Sequence, residues 1–79
     1  MRYALAMEYK NLGQPEQAAE TFRELIRRSP SYVPTYLMLA QTLLGMGLPD
    51  EARTVIERGI EVAEKAGDAH TASELRDLL

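Results

Sequence analysis

The chain has no cysteine and a single histidine. Without cysteine no disulfide braces the fold and no thiolate metal site organises it. The same absence is compatible with a reducing cytoplasm, which is the expected location. The lone His70 has no serine or cysteine nucleophile arranged around it. Thr71 and Ser73 are close in sequence, but a hydrolytic triad needs an oriented base and an oxyanion site as well. GxGxxG, GxxxxGKS/T and HExxH are all missing. The glutamates at 8, 16, 20, 24, 57, 61 and 64 fall on polar helix faces at salt-bridge spacing, as solvated surface does. The expectation is a chain that is not an enzyme, with no catalytic residue, no cofactor and no metal.

Positive charge is also scarce. Nine Lys and Arg stand against twelve Asp and Glu, a net charge of −3, which argues against nucleic acid as a partner. Residues 32–79 carry four basic side chains against eight acidic ones, an excess that reads as a solvated face or a surface for a basic partner. Long apolar runs are few. Glu8 and Lys10 interrupt any leader-like segment near the N-terminus, so no secretory signal is read. Residues 29–48 contain no charge, a length near the ~20 residues of a membrane span. Ser29, Pro30, Ser31, Pro34, Thr35, Gln41 and Thr42 lie within that stretch, and it reads instead as a turn followed by a buried helix. No membrane span is expected. At 79 residues the chain is one small domain that buries about 60–65% of the surface its unfolded form exposes.

What the sequence does have is an internal copy. Gly13-Gln14-Pro15-Glu16-Gln17-Ala18 returns as Gly47-Leu48-Pro49-Asp50-Glu51-Ala52, an offset of 34 residues. At the same offset Leu5-Ala6 matches Leu39-Ala40 and Ile26 matches Ile60; Tyr9 corresponds to Leu43 and Phe22 to Ile56 in character. A fixed period of this length marks a helical repeat array. The apolar spacing predicts helices over residues 2–12, 15–29, 33–46, 49–66 and 69–79. Gly13, Gly47 and Gly67 punctuate them as left-handed caps, Pro15 and Pro49 open the helices that follow, and Asp68 serves as an N-cap. Tyr3, Leu5, Ala6, Tyr9 and Leu12 form the expected inward stripe of the first helix. Ala18, Ala19, Phe22, Leu25 and Ile26 do so in the second, Ala52, Val55, Ile56, Gly59, Ile60 and Ala63 in the fourth, and Ala72, Leu75 and Leu79 in the fifth. Glu61 and Lys65 stand at favourable ion-pair spacing.

With these residues in place the chain resembles the tetratricopeptide repeat (TPR) family. The family pattern of a bulky aromatic, Leu-Gly or Leu-Ala, Tyr or Leu, a glycine turn, Ala, an aromatic or aliphatic residue and a closing proline is matched in the second repeat. There it falls on Tyr36, Leu39-Ala40, Leu43, Gly47, Ala52 and Ile56; in the first it falls on Leu5-Ala6, Tyr9, Gly13, Ala18, Phe22 and Pro30. The resemblance implies an all-α, right-handed α-solenoid of antiparallel helix hairpins with five helices. Its units are repeat 1 (1–32), repeat 2 (33–66) and a capping helix (67–79). The sequence departs from the pattern at Arg2, where an aromatic is usual, at Gly59, where a small residue such as Ala is usual, and at Glu64 in place of the closing proline. Two repeats are fewer than the three or so usually needed. The expectation is that the first is clipped at its start or that something else covers its first helix.

The resemblance also implies a function. In TPR proteins the first helix of each hairpin lines a concave groove, which transfers to Tyr3, Met7, Lys10 and Asn11 in repeat 1 and to Pro34, Leu37, Gln41 and Leu44 in repeat 2. The groove is mainly apolar. Leu37, Gln41 and Leu44 stand where a carboxylate-gripping subclass carries polar donors, so capture of a peptide C-terminus is not expected. The expected function is a protein–protein interaction module or scaffold holding a short apolar or amphipathic peptide. The alternative is self-assembly into a homo-oligomer, by stacking or helix exchange. The third helix is apolar nearly all round. Its outward residues Leu37, Met38 and Leu44 must meet the fifth helix, a peptide or another copy.

Overall fold

A computed structural model describes the backbone of residues 2–79 and the side chains of residues 4–79. Among the described residues there are five α-helices and no strand: α1 (Arg2–Asn11), α2 (Pro15–Arg28), α3 (Val33–Gly45), α4 (Pro49–Lys65) and α5 (Ala69–Asp77). Pro15 and Pro49 sit at the first position of their helices, where a missing N–H leaves nothing unsatisfied.

Three helix ends close in the same way. Gly13, Gly47 and Gly67 have φ of 73°, 75° and 74°. The residue after each glycine donates its N–H five residues back, Gln14 to Tyr9, Leu48 to Leu43 and Asp68 to Ala63, at 2.8–2.9 Å. This paired closure satisfies carbonyls that the helix end leaves open. It needs a left-handed residue, which glycine adopts without a Cβ clash. The α2–α3 junction is built differently. The Tyr36 hydroxyl donates to the Pro30 carbonyl at 2.5 Å, so the first turn of α3 ties down the loop before it.

α2 packs against both α1 and α3, α4 packs against both α3 and α5, and α5 also touches α3. The odd-numbered helices form one layer and α2 and α4 the other. Ala6, Ala18, Ala40 and Ala52 are fully buried; side chains this small let the paired helices come close. Phe22, Leu39, Leu43 and Ile56 fill the space between them. Arg23 of α2 reaches Glu51 of α4 at 2.8 Å, and Arg76 of α5 pairs with Glu64 of α4. Such exposed pairs are worth about 0.2–1 kcal/mol each, so burial rather than charge holds the helices together.

Several inward assignments do not hold. Leu5 is 43% exposed and Leu12 65%, although Leu39, one repeat on from Leu5, is 1% exposed. The difference has a geometric cause: α2 covers that face of α3, whereas no hairpin lies against the same face of α1 in this chain. Leu79 is 67% exposed because α5 ends at Asp77, and Leu78 packs against the core in its stead. No ion pair joins Glu61 to Lys65 among the described residues. The stretch over residues 29–48 is a turn plus α3, and no helix among the described residues is long and apolar enough to cross a membrane.

Candidate functional site

The residues expected to form a groove lie on α1 and α3, within one layer. Their accessibility divides them. The Tyr3 side chain lies outside the described residues. Met7 and Lys10 are half-buried, and Asn11, at the last position of α1, is exposed. On α3, Pro34 and Leu44 are half-buried and Gln41 is exposed. Leu37 is different. It is 9% exposed and belongs to the same core cluster as Leu75 of α5, so it is a wall of the core and not an open anchor for a peptide.

The cause lies in how α3 is surrounded. Val33, Thr35, Tyr36, Leu37, Leu39, Ala40, Thr42 and Leu43 are all buried, and Met38 and Leu44 pack against the core. The buried Thr42 hydroxyl is satisfied within its own helix, donating to the Met38 carbonyl at 2.8 Å. α2 and α4 cover part of the helix and α5 another part. Gln41 is the exposed residue within the body of α3. With Leu37 buried, the accessible residues of the expected set are more polar than the sequence suggests. Of the expected groove residues, those left at least partly accessible are Asn11, Lys10 and Met7 on α1 and Gln41, Pro34 and Leu44 on α3. Leu44 lines a cavity of about 110 Å³ with Pro49, Arg53 and Ile56 of α4 and the C-terminal Leu78 and Leu79.

A face of this kind can do recognition. Asn and Gln amides offer both donors and acceptors to a peptide backbone, and Met adapts to the side chains it meets. Lys10 offers one flexible positive charge. His70 stands apart in the first turn of α5, its side chain 86% exposed and its Nε2 3.3 Å from Glu74. The neighbouring Thr71 hydroxyl donates to Asp68 at 2.8 Å.

A second accessible area went unread in the sequence. Leu5 of α1 lines a cavity of about 430 Å³ with Glu20, Thr21 and Glu24 of α2, and Leu12 lies exposed in the turn that follows α1. Both leucines occupy repeat positions that are packed in the second hairpin, where Leu39 and Met46 join or pack against the core. The signal was available in the repeat itself: a residue that meets the preceding hairpin in repeat 2 has no helix before α1 to meet among the described residues.

The comparisons with known proteins agree with this architecture. A family model described as Tetratricopeptide repeat matches residues 11–74. A crystal structure of a tetratricopeptide repeat domain protein from Salinibacter ruber is similar at 37% identity with a TM-score of 0.89, over 96% of this chain and 84% of that one. A solution NMR structure of a tetratricopeptide repeat domain protein from Salinibacter ruber is also similar at 37% identity, with a TM-score of 0.91, over 96% of this chain and 77% of that one. No curated protein matches the chain at a significant level. With a family model covering most of its length, the chain belongs to the tetratricopeptide repeat family.

Proposed function

We propose that this chain is a protein–protein interaction module that holds a short amphipathic segment of a partner protein against the face shared by α1 and α3. The observation that carries the reading is Gln41. It is exposed on a helix that is otherwise buried or half-buried through its body, and it lies on the same layer as Asn11, Lys10 and Met7. Repeat stacking leaves such faces open for partners. With Leu37 withdrawn into the core, the contact is a mixed one: amides for the partner's backbone, and Met7, Pro34 and Leu44 for its apolar side chains. A net charge of −3 favours a protein partner over nucleic acid, and the lack of cysteine fits work in a reducing cytoplasm.

Site-specific photo-crosslinking tests the reading. A photoreactive residue at position 41 should give partner adducts, and one at Glu57, exposed on α4, should not. Equal labelling from both positions would remove the α1–α3 face from consideration.

Self-assembly is the second reading, supported by Leu5 and Leu12. Two exposed leucines, one on α1 and one in the turn after it, at positions whose counterparts in repeat 2 join or pack against the core, suit contact with another copy. Light scattering on the 79-residue chain separates the two: a monomer at high micromolar concentration leaves only the peptide-binding reading.

A further inference from the structure

A cavity of about 360 Å³ lies between the α2–α3 loop and the C-terminal half of α4, lined by Pro30, Ser31, Arg58, Val62, Lys65 and Ala66. Its floor is apolar, from Pro30, Val62 and Ala66. Its cations are Arg58 and Lys65, both exposed and neither in an ion pair among the described residues. Glu61 shares that part of α4 but pairs with neither. The loop wall is held in place by the Tyr36 hydroxyl on the Pro30 carbonyl.

The first repeat provides an internal control. One repeat earlier, Arg58, Val62 and Lys65 correspond to Glu24, Arg28 and Ser31. There the charges are closed among themselves: Arg27 donates to Glu24 at 2.6 Å and Arg28 at 3.0 Å. In the second repeat Arg58 stands in place of Glu24, Glu61 in place of Arg27 and Val62 in place of Arg28, and neither Arg58 nor Lys65 is in an ion pair among the described residues. The same fold position thus holds a closed ion cluster in repeat 1 and two unpaired cations beside an apolar surface in repeat 2.

We infer that this cavity binds an acidic peptide segment, specifically an extended one with an aliphatic side chain flanked on each side by a carboxylate two residues away. The geometry sets the spacing. Arg58 and Lys65 are seven residues apart on α4, about 10 Å along the axis, too far to converge on one compact anion without both arms bending inward. Alternate residues of an extended chain point to one side, so acid, aliphatic and acid at every second position span about 13 Å. The long side chains of Arg58 and Lys65 reach the two carboxylates from the ends, and the aliphatic group rests on Val62 and Ala66. This site is separate from the α1–α3 face and does not depend on it.

The test is an NMR titration of the full chain with a blocked Glu-Ser-Leu-Ser-Glu peptide. The expected result is saturable shifts of the Ser31, Arg58, Val62 and Ala66 amides. An Arg58→Gln/Lys65→Gln double variant, at exposed positions, should keep the native spectrum and weaken binding by about fivefold to tenfold, as loss of two exposed pairs implies. Raising the salt to about 1 M, where screening acts within about 3 Å, should weaken it similarly, and so should replacing the peptide's leucine with serine. Absence of those shifts, shifts confined to Met7, Gln41 and Leu44, or binding unchanged in the double variant would overturn the inference. Inorganic phosphate moving the same amides as strongly as the peptide would also overturn it, by marking a general anion site.

Discussion

Gly59 of α4 lies hard against Tyr36 of α3: a Cβ at position 59 would come within 2.7 Å of the Tyr36 Cβ and 3.0 Å of Leu75 Cδ1. Leu75 can turn its methyl away, but the Tyr36 Cβ is fixed to its backbone and moves only with α3. A helical glycine costs about 1 kcal/mol against alanine in propensity, so this residue weakens α4 locally and is kept because it lets α4 approach α3. Gly59→Ala sets the two effects against each other. We expect the clash to win, with a net loss of about 1–2 kcal/mol from overpacking. Urea unfolding measures it; a stabilised variant would mean that the helices have room to part.

Tyr36 links the same contact to the loop before α3. Its ring is 1% exposed and its hydroxyl donates to Pro30. Tyr36→Phe keeps the ring and removes the hydrogen bond, for an expected loss of about 0.5–1.5 kcal/mol. Amide exchange should quicken at Ser31 and Tyr32. A variant as stable as the parent would show that water replaces the bond without cost.

Leu37 and Gln41, one turn apart on α3, should behave in opposite ways. Leu37→Ala removes a buried side chain and should cost about 2–5 kcal/mol, a large share of the roughly 4–12 kcal/mol expected for a domain of this length. Leu37→Glu should unfold it. Gln41→Glu should leave the unfolding midpoint nearly unchanged. Thermal unfolding followed by circular dichroism distinguishes them, and a folded Leu37→Glu protein would return Leu37 to the open face.

Asp68 caps α5. The Thr71 backbone N–H donates to its carboxylate at 3.0 Å and the Thr71 hydroxyl at 2.8 Å, and these bonds, the backbone one foremost, hold its pKa below the ordinary aspartate value. A group whose pKa is lowered by folding contributes its stability above the unfolded pKa, about 3.9 for aspartate, and loses it as the pH falls through the folded value. The melting temperature should therefore drop below about pH 4. Asp68→Asn, which still caps, should show a shallower drop; the Glu24 carboxyl, held low chiefly by Arg27, supplies part of the remainder. Asp68→Ala should melt lower at pH 7. An unchanged pH profile in Asp68→Asn would show that the cap carries no charge-dependent share.

The parts legible in the sequence are those set by local chemistry. The Gly13 and Gly47 turns, the prolines at helix starts, the Asp68 cap and the packed positions Ala18, Ala52, Phe22 and Ile56 all follow from backbone preference and period. What was not legible depends on which element lies next to which. Leu5 and Leu39 are identical in type and in repeat position, yet one is exposed and one buried, because only the second has a hairpin beside it. Leu37 has the spacing of a groove residue, but α5 contributes Leu75 to the core that seals it, and α5 is not part of the 34-residue period. Gly59 looked like a departure from the family pattern; its reason is a contact with α3 that no pattern along α4 displays.

The central claim is that the α1–α3 face, read through Gln41, is where a partner protein binds. The measurement that tests it most directly is the affinity of the partner identified by crosslinking, by calorimetry, for Gln41→Arg and for Glu57→Arg. Both substitutions lie on exposed positions and should leave the fold intact. The account predicts affinity weakened at least about tenfold, or 1.4 kcal/mol, for Gln41→Arg and unchanged for Glu57→Arg. Parent-like affinity in Gln41→Arg, or equal losses in both variants, would contradict it.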